Sequence, residues 1–217
     1  MDDSRKEALV RKPLAIEVVS DVVCPWCYIG KRRLEKALVL LGDVGQVSVR
    51  YQPFQLNPEM PQGGMPRAEY RKAKFGSVER GRQLDARVAA EGQGEGIEFA
   101  FERMLRTPNT VAAHRLIELA QRQGAGQPVV DELFRAYFEE GKDVGDPKVL
   151  EEIAKRSGVS GWPQEADAKE VAALEEEMRG LGISAVPTFI FDRKLGVSGA
   201  HPPEALAQAM REALGAK

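Results

Sequence analysis

Apolar and polar residues recur along the chain with two periods, one typical of strands and one typical of helices. The β-branched, largely apolar run LAIEVVS at 14–20 predicts a buried strand. Apolar residues then recur at helical spacing with basic residues between them, which predicts an amphipathic helix from Cys24 and Cys27 to Gly42. The segment QVSVRYQ at 46–52 alternates strictly and predicts a second strand. We therefore expect a β-α-β unit with the helix as its crossover.

The middle of the chain changes to a loop followed by a helical block. Proline and glycine punctuate 53–66, so we expect only loop there. Helical stretches then continue to about Gly161. Seven glycines are predicted to interrupt them: Gly76, Gly92, Gly94, Gly96, Gly124, Gly126 and Gly158.

The carboxyl-terminal part returns to mixed elements. The predicted elements are a helix over 164–179 that ends at Gly180, strands over 188–192 and 195–198 joined by a tight turn at Arg193 and Lys194, and a helix over 203–214. The whole order is β-α-β, helical block, α, then β-β-α. With the two cysteines between the first strand and the first helix, this order predicts an α/β protein with a thioredoxin fold and an inserted all-helical domain. The predicted parts are 1–65, 66–161 and 162–217.

Composition and charge exclude several function classes. The chain has 33 acidic and 31 basic residues, interspersed, so it lacks the sustained positive field of a nucleic-acid-binding protein. No apolar run approaches the roughly 20 residues that a membrane span requires. The first residues, MDDSRKEALVRKP, lack the apolar stretch of a secretory signal. We expect a cytoplasmic protein with neither nucleic acid nor membrane as a partner.

Both cysteines of the chain lie in one motif, Cys24-Pro25-Trp26-Cys27. In a reducing compartment, such a pair is more typical of redox catalysis or metal binding than of a structural disulfide. The unpaired N–H groups and macrodipole at a helix amino terminus favour the thiolate of Cys24. Cys27 lies one turn further on, close enough to attack a mixed disulfide on Cys24. We predict an exposed nucleophile, Cys24, and a shielded resolving thiol, Cys27.

Four segments carry a family resemblance: SDVVCPWC at 20–27, NTVAAHR at 109–115, GISAVPTFIF at 182–191 and VSGAH at 197–201. With them the sequence resembles the DsbA-like thioredoxin-fold family, in particular its cytosolic FrnE-like branch. That branch is related to 2-hydroxychromene-2-carboxylate isomerase and to the kappa-class glutathione transferases. The resemblance implies a protein disulfide oxidoreductase or isomerase. The charge-neutral Pro25-Trp26 dipeptide predicts a dithiol less oxidising than that of the strongly oxidising periplasmic members.

The resemblance also implies substrate-binding residues away from the cysteines. Pro187 would be a cis-proline opposite the active-site helix, leaving the backbone of Val186 free to pair with a substrate strand or glutathione. Asn109 would approach the active site, and Ser198 would lie near the γ-glutamyl group of glutathione. Plainer roles are open for each: Pro187 as the start of a strand, Thr107 and Pro108 as a helix N-cap and first residue with Asn109 beside them, and Ser198 in a turn.

Further single residues have both functional and structural interpretations. Asp21 is a candidate for tuning Cys24, but it is also typical of a turn or cap before a helix. His114 fits a partly buried helix position with satisfied hydrogen bonds. Aromatic residues in the helical block are expected to pack in the core or between domains, with some lining a substrate groove: Phe99, Phe101, Phe134, Tyr137, Phe138 and Trp162.

Three alternative functions stay open at this point. The cysteines could form a zinc site, but within one chain this requires both His114 and His201. A glutathione-dependent transferase or isomerase of a small hydrophobic molecule is the second, although Cys27 argues against it. The third is a module that binds misfolded clients or a metal. For the preferred function we expect protein or small-molecule thiols and disulfides as partners, no bound cofactor, and glutathione as the candidate redox partner or cosubstrate; a homodimer is left open.

Overall fold

The structure is a computed structural model and describes residues 13–215. The segment 1–12, on which the expectation about a secretory signal rests, lies outside the described residues. The elements are β1 (Leu14–Ser20), α1 (Pro25–Leu41), β2 (Val47–Pro53), β3 (Met65–Pro66), α2 (Arg67–Phe75), α3 (Val78–Gly94), β4 (Arg106–Thr107), α4 (Val111–Arg122), α5 (Gly126–Phe138), α6 (Pro147–Arg156), α7 (Ala168–Gly180), β5 (Thr188–Phe191), β6 (Leu195–Ser198) and α8 (Pro203–Leu214). A 3₁₀ turn covers Phe101–Arg103.

A four-stranded mixed sheet in the order β2-β1-β5-β6 organises the molecule. β1 and β2 are parallel, as the predicted crossover through α1 requires, and β5 is antiparallel to β1 and β6. The ladder between β1 and β5 ends where Val19 faces Thr188. The start of β5 therefore lies beside the end of β1, next to the cysteine motif.

Side chains of β1 alternate between two apolar layers. Ile16 and Val18 belong to the large core, which includes residues of α1, α5 and α8. Val19 points the other way and packs in a smaller cluster with Met178 of α7 and Ile190. Because successive strand side chains point to opposite faces, helices cover both sides of the sheet.

Helices α2 to α6 lie between β2 and α7 in sequence, as the predicted helical block does. Gly76, Gly124 and Gly158 lie just after the ends of helices and have positive φ, which a residue without a Cβ tolerates best. Gly92 does not interrupt a helix, because α3 continues through it to Gly94. None of the helices in the described chain is long and apolar enough to cross a lipid bilayer.

Several predicted boundaries are wrong. The supposed loop 53–66 ends in β3, which pairs with β4, so Thr107 lies in a strand instead of capping a helix. The helix after it begins at Val111.

Two boundaries in the carboxyl-terminal part also need correction. The helix predicted from Gln164 begins at Ala168, where the Asp167 carboxylate accepts a hydrogen bond from the Lys169 N–H at 2.7 Å. The hairpin turn is centred on Asp192 and Arg193, one residue earlier than predicted, and both have positive φ.

Candidate active site

Cys24 occupies the N-cap position of α1, and Pro25 is the first helical residue. The backbone N–H of Cys27 donates to the Cys24 carbonyl at 3.0 Å, which closes the first turn between the two cysteines. The first turn of α1 contains no acidic residue. The positive end of the helix dipole is therefore directed at Cys24 without a competing carboxylate on the helix itself.

The Cys24 thiol is covered more than the sequence predicts. Its side chain is 4% exposed, and its sulfur donates to the Val186 carbonyl oxygen at 3.7 Å. The expectation of an exposed Cys24 is therefore wrong for this conformation, because the loop before β5 lies over the sulfur. Cys24 still lines an open cavity described below, so a substrate can approach it from that side.

Cys27 is 2% exposed, as expected for the shielded member of the pair. Burial raises the pKa of the Cys27 thiol well above its usual range, and the neighbouring Cys24 raises it further. Hydrogen bonds from the Asp21 backbone and the Ser20 side chain act in the opposite direction. Both cysteines are free thiols in the structure. Cys27 is therefore held as a neutral thiol at neutral pH.

The Val186–Pro187 segment faces the start of α1. The peptide bond between these residues is cis. The Pro187 carbonyl accepts a hydrogen bond from Gly199 N–H at 2.8 Å, which ties the segment to the end of β6. Pro187 also packs against Gly30 so closely that a Cβ on Gly30 would lie 2.9 Å from Pro187 Cγ. The structure thus places Val186 and Pro187 together with Cys24, while the substrate-binding role of both stays a prediction.

Behind the cysteine motif lies a buried polar contact between Asp21 and His114. Asp21 is fully buried, and its Oδ2 accepts from the Leu56 N–H at 2.8 Å. The other oxygen, Oδ1, lies 3.4 Å from His114 Nε2. Neither of these two atoms has a hydrogen-bond partner within the part of the chain that the structure describes. Asp21 is therefore more than a surface turn residue, and His114 is more deeply buried than predicted.

A cavity of about 480 Å³ opens beside Cys24, between the start of α1 and helices α2 and α3. Trp26 lines this cavity, and 39% of its surface is exposed. Of the aromatic residues considered for a groove, Phe101 and Phe138 line the cavity. A cavity of this size falls in the range of about 300–1,000 Å³ that is typical of small-molecule sites.

Asn109 and Ser198 have partners of their own and do not line this cavity. The Asn109 amide donates to the Met60 carbonyl at 2.8 Å and accepts from the Val111 N–H at 3.0 Å, so it braces the start of α4. Ser198 Oγ accepts from Thr188 Oγ1 at 3.1 Å across the β5–β6 ladder. Contact of either residue with a substrate stays a prediction.

The two histidines required for a zinc site lie in different surroundings. His114 contacts Asp21, while His201 is exposed and its ring lies 3.0 Å from the Ser198 carbonyl. No group of three or more potential metal ligands occurs among residues 13–215. The zinc alternative therefore finds no ligand set in the described chain.

Sequence reasoning missed the basic residues of the cavity wall. Arg67, Arg71 and Lys74 all lie on α2 and line the cavity. Their spacing of four and three residues places them on one helix face, and this periodicity is visible in the sequence. The signal was missed because basic residues at helical spacing more often form a solvated face.

Known proteins with similar sequences and structures identify the family. The family model described as "DSBA-like thioredoxin domain" matches residues 15–211. The chain belongs to this family. A crystal structure of a probable DsbA oxidoreductase from Streptomyces coelicolor is 33% identical and superposes with a TM-score of 0.85 over 94% of this chain and 91% of that chain. The uncharacterized protein YwbO of Bacillus subtilis is 28% identical over 81% of this chain and 85% of its own length.

More distant structures share the fold. The cytosolic disulfide reductase DsbM from Pseudomonas aeruginosa has a TM-score of 0.62 at 20% identity, covering 93% of this chain and 95% of that chain. A 2-hydroxychromene-2-carboxylate isomerase has a TM-score of 0.68 at 15% identity, covering 91% and 95%. The predicted DsbA-like thioredoxin fold is confirmed. Membership of the family, together with the close pair of free cysteines Cys24 and Cys27, supports a thiol–disulfide oxidoreductase.

Proposed function

We propose that the protein exchanges disulfides through Cys24 and Cys27, with Cys24 as nucleophile and Cys27 as resolving thiol. The observation that carries this proposal is the position of Cys24, at the amino terminus of α1 and open to the cavity, with Cys27 one turn behind it. The surroundings of the two sulfur atoms differ in a way that fits a nucleophile at Cys24 and a resolving thiol at Cys27. Cys24 lies at the positive end of the helix dipole, while burial raises the pKa of Cys27 and keeps that thiol protonated.

The exchange balances without a cofactor. The Cys24 thiolate attacks one sulfur of a substrate disulfide, forms a mixed disulfide and releases the other substrate sulfur as a thiolate. Cys27 then attacks the Cys24 sulfur and releases the second substrate thiol, which takes up the Cys27 proton. Two electrons pass from the dithiol to the substrate, and the reverse sequence oxidises a substrate dithiol. The direction depends on the potential of the surrounding thiol pool.

The segment Val186–Pro187 serves in this proposal as the platform for the substrate. The Val186 carbonyl already accepts from the Cys24 thiol, and Val186 precedes the first ladder pair of β5, so its peptide group lies outside the sheet. A substrate backbone can pair with such a peptide group. We take glutathione as the redox partner and the cytoplasm as the site of action, consistent with the lone cysteine pair.

Trapping of the intermediate tests the proposal. Cys27→Ser should react once with oxidised glutathione and accumulate a stable mixed disulfide on Cys24, because no resolving thiol remains. Cys24→Ser should accumulate little adduct under the same conditions, since the remaining thiol is buried and protonated. Mass spectrometry of the intact protein and of its peptides measures both. Equal adduct formation on Cys27 in Cys24→Ser and on Cys24 in Cys27→Ser would contradict the assignment.

A glutathione-dependent transferase or isomerase is the second candidate, favoured by the cavity beside Cys24. It requires one nucleophile only. In that case Cys27→Ser should retain full activity and accumulate no adduct, so the same variant separates the two candidates.

A further inference from the structure

The cavity beside Cys24 has a strongly basic wall. Four cationic side chains line it, Arg67, Arg71, Lys74 and Arg87, against one carboxylate, Asp85. Most protein cavities for small molecules have apolar walls with a few placed polar groups. Here the polar groups are nearly all of one sign, which calls for a compensating charge.

Asp85 is shared by two guanidinium groups and can neutralise only one. Arg71 Nη2 lies 2.6 Å from Asp85 Oδ1, and Arg67 Nη2 lies 3.3 Å from Oδ2. The two arginine side chains are only 8% and 12% exposed. The cluster of two guanidinium groups and one carboxylate thus keeps a net positive charge in a largely desolvated place.

Neutral groups replace that partner only in part. Arg71 Nη2 also donates to the Gly81 carbonyl at 2.5 Å, but its Nε has no hydrogen-bond partner among residues 13–215. The ring of Phe101 faces Arg67 at 5.6 Å. Burial, followed by repulsion from Arg67, lowers the pKa of Arg71. An uncompensated buried charge is costly, and a bound anion would relieve it.

The two exposed cations extend the positive field to the cavity mouth. Lys74 Nζ reaches only neutral oxygens, those of Asn57 at 2.9 Å and Leu56 at 3.5 Å. Within the described residues, neither Lys74 nor Arg87 forms an ion pair with a carboxylate, since Asp85 pairs with Arg67 and Arg71. The remaining wall is apolar and includes Val88 and Phe138.

We infer that this cavity binds a small amphipathic organic anion, an apolar or aromatic disulfide that carries a carboxylate, with its acidic group at Arg67 and Arg71 and its sulfur at Cys24. This rests on the proposed function, because Cys24 is the group that attacks. The cavity volume of about 480 Å³ suits a compound of this size, and Ser198, the predicted glutathione contact, does not line it. The cluster thus selects substrates by charge.

The test compares an anionic and a neutral aromatic disulfide. The reduced protein reacts with dithiobis(nitrobenzoate), which carries carboxylates, and with dithiodipyridine, which is neutral; the rate constants are taken from the release of the coloured thiol. We expect Arg71→Met to lower the ratio of anionic to neutral rate constants roughly tenfold, as loss of a hydrogen bond to a charged group predicts. Lys74→Gln should also lower the ratio, by a smaller factor. Because Lys74 is exposed on α2, this substitution leaves the buried arginine cluster intact.

Arg80→Gln is the matched control. Arg80 also lies on α3, is exposed and does not line the cavity, so the ratio should not change. A ratio that is unaffected by both Arg71→Met and Lys74→Gln, or lowered as much by Arg80→Gln, would overturn the inference. A stronger preference for an acidic peptide disulfide than for the small dicarboxylate would overturn the assignment to a small molecule. Failure of both disulfides to react with the wild-type protein would instead contradict the proposed function.

Discussion

Cys24 and Cys27 differ most in what surrounds their sulfur atoms. Cys24 is at the helix terminus with its thiol directed at the Val186 carbonyl and the cavity beside it. Cys27 is enclosed, and burial raises its pKa. A thiol with a raised pKa stays neutral at neutral pH and loses its proton only as the pH rises beyond its ordinary value of about 8.5.

This difference predicts the alkylation behaviour of Cys27. In Cys24→Ser, iodoacetamide should modify native Cys27 at less than about a tenth of the rate seen after denaturation at pH 8, because both burial and protonation oppose attack. The native rate should rise only above about pH 9. Alkylation followed by mass spectrometry measures both. Native and denatured rates that agree within a factor of about two would show that Cys27 is neither shielded nor protonated.

At the residue scale, the sequence predicted where the two cysteines lie in the fold but not how they are covered. The motif Cys24-Pro25-Trp26-Cys27 is local, and its position at a helix start follows from the adjacent patterns. The carbonyl over Cys24 comes from a residue 162 positions further along the chain. No local pattern predicts such a contact. The basic cavity wall is different, since its helical spacing is present in the sequence.

At the scale of elements, the close packing of α1 on the Val186–Pro187 segment depends on Gly30. A Cβ there would lie 2.9 Å from Pro187 Cγ and 3.1 Å from the ring of Phe189. In a helix, alanine is intrinsically about 1 kcal/mol more favourable than glycine. Overpacking against a rigid ring and a phenyl group costs about 1–3 kcal/mol, so the packing term should win.

Gly30→Ala should therefore lower the free energy of unfolding by about 1 kcal/mol and slow disulfide exchange, because α1 moves relative to the segment beside Cys24. Gly180→Ala is the control: Gly180 is the last residue of α7, and no side chain or other element of the described chain lies within 4 Å of the added methyl group. Urea unfolding and the rate of exchange are measured for both. Equal effects of the two substitutions would show that close packing at Gly30 does not matter.

The start of α7 depends on its N-cap. Asp167→Ala should lower the free energy of unfolding by about 0.5–2 kcal/mol, since the Asp167 carboxylate accepts from the Lys169 N–H. Asp167→Asn keeps an acceptor and should cost less. Thermal or urea unfolding checks this prediction. Unchanged stability in Asp167→Ala would mean that water satisfies the Lys169 N–H as well as the Asp167 carboxylate does.

Long, periodic elements were predictable and short, non-local ones were not. β1, α1 and β2 follow from their hydrophobic periods, and α1 ends at Gly42 as predicted. β3 and β4 have two residues each and pair across about forty positions, so their existence depends on the tertiary structure. The start predicted for α7 was too early because the N-cap is Asp167, whose carboxylate accepts from the Lys169 N–H.

At the scale of the whole molecule, the order of elements was enough to predict the thioredoxin fold with its helical insertion. The sheet places the end of β1 beside the start of β5, so the cysteine motif and the Val186–Pro187 segment meet although they are distant in sequence. The insertion brings α2 and α3 over the same place and forms the far wall of the cavity. The boundaries of its domain stay a prediction.

The central claim is that Cys24 and Cys27 form a reversible dithiol–disulfide pair. Equilibration of the protein with glutathione buffers of graded ratio, followed by acid quenching, alkylation and mass spectrometry, gives the fraction in each form. We predict a two-electron curve with a midpoint between the values of thioredoxin, about −270 mV, and DsbA, about −120 mV, since Cys24 lies at the amino terminus of α1 and the Pro25-Trp26 dipeptide adds no charge. A protein that stays a dithiol across the whole series would contradict the claim, and a midpoint outside this interval would show that other groups determine the potential.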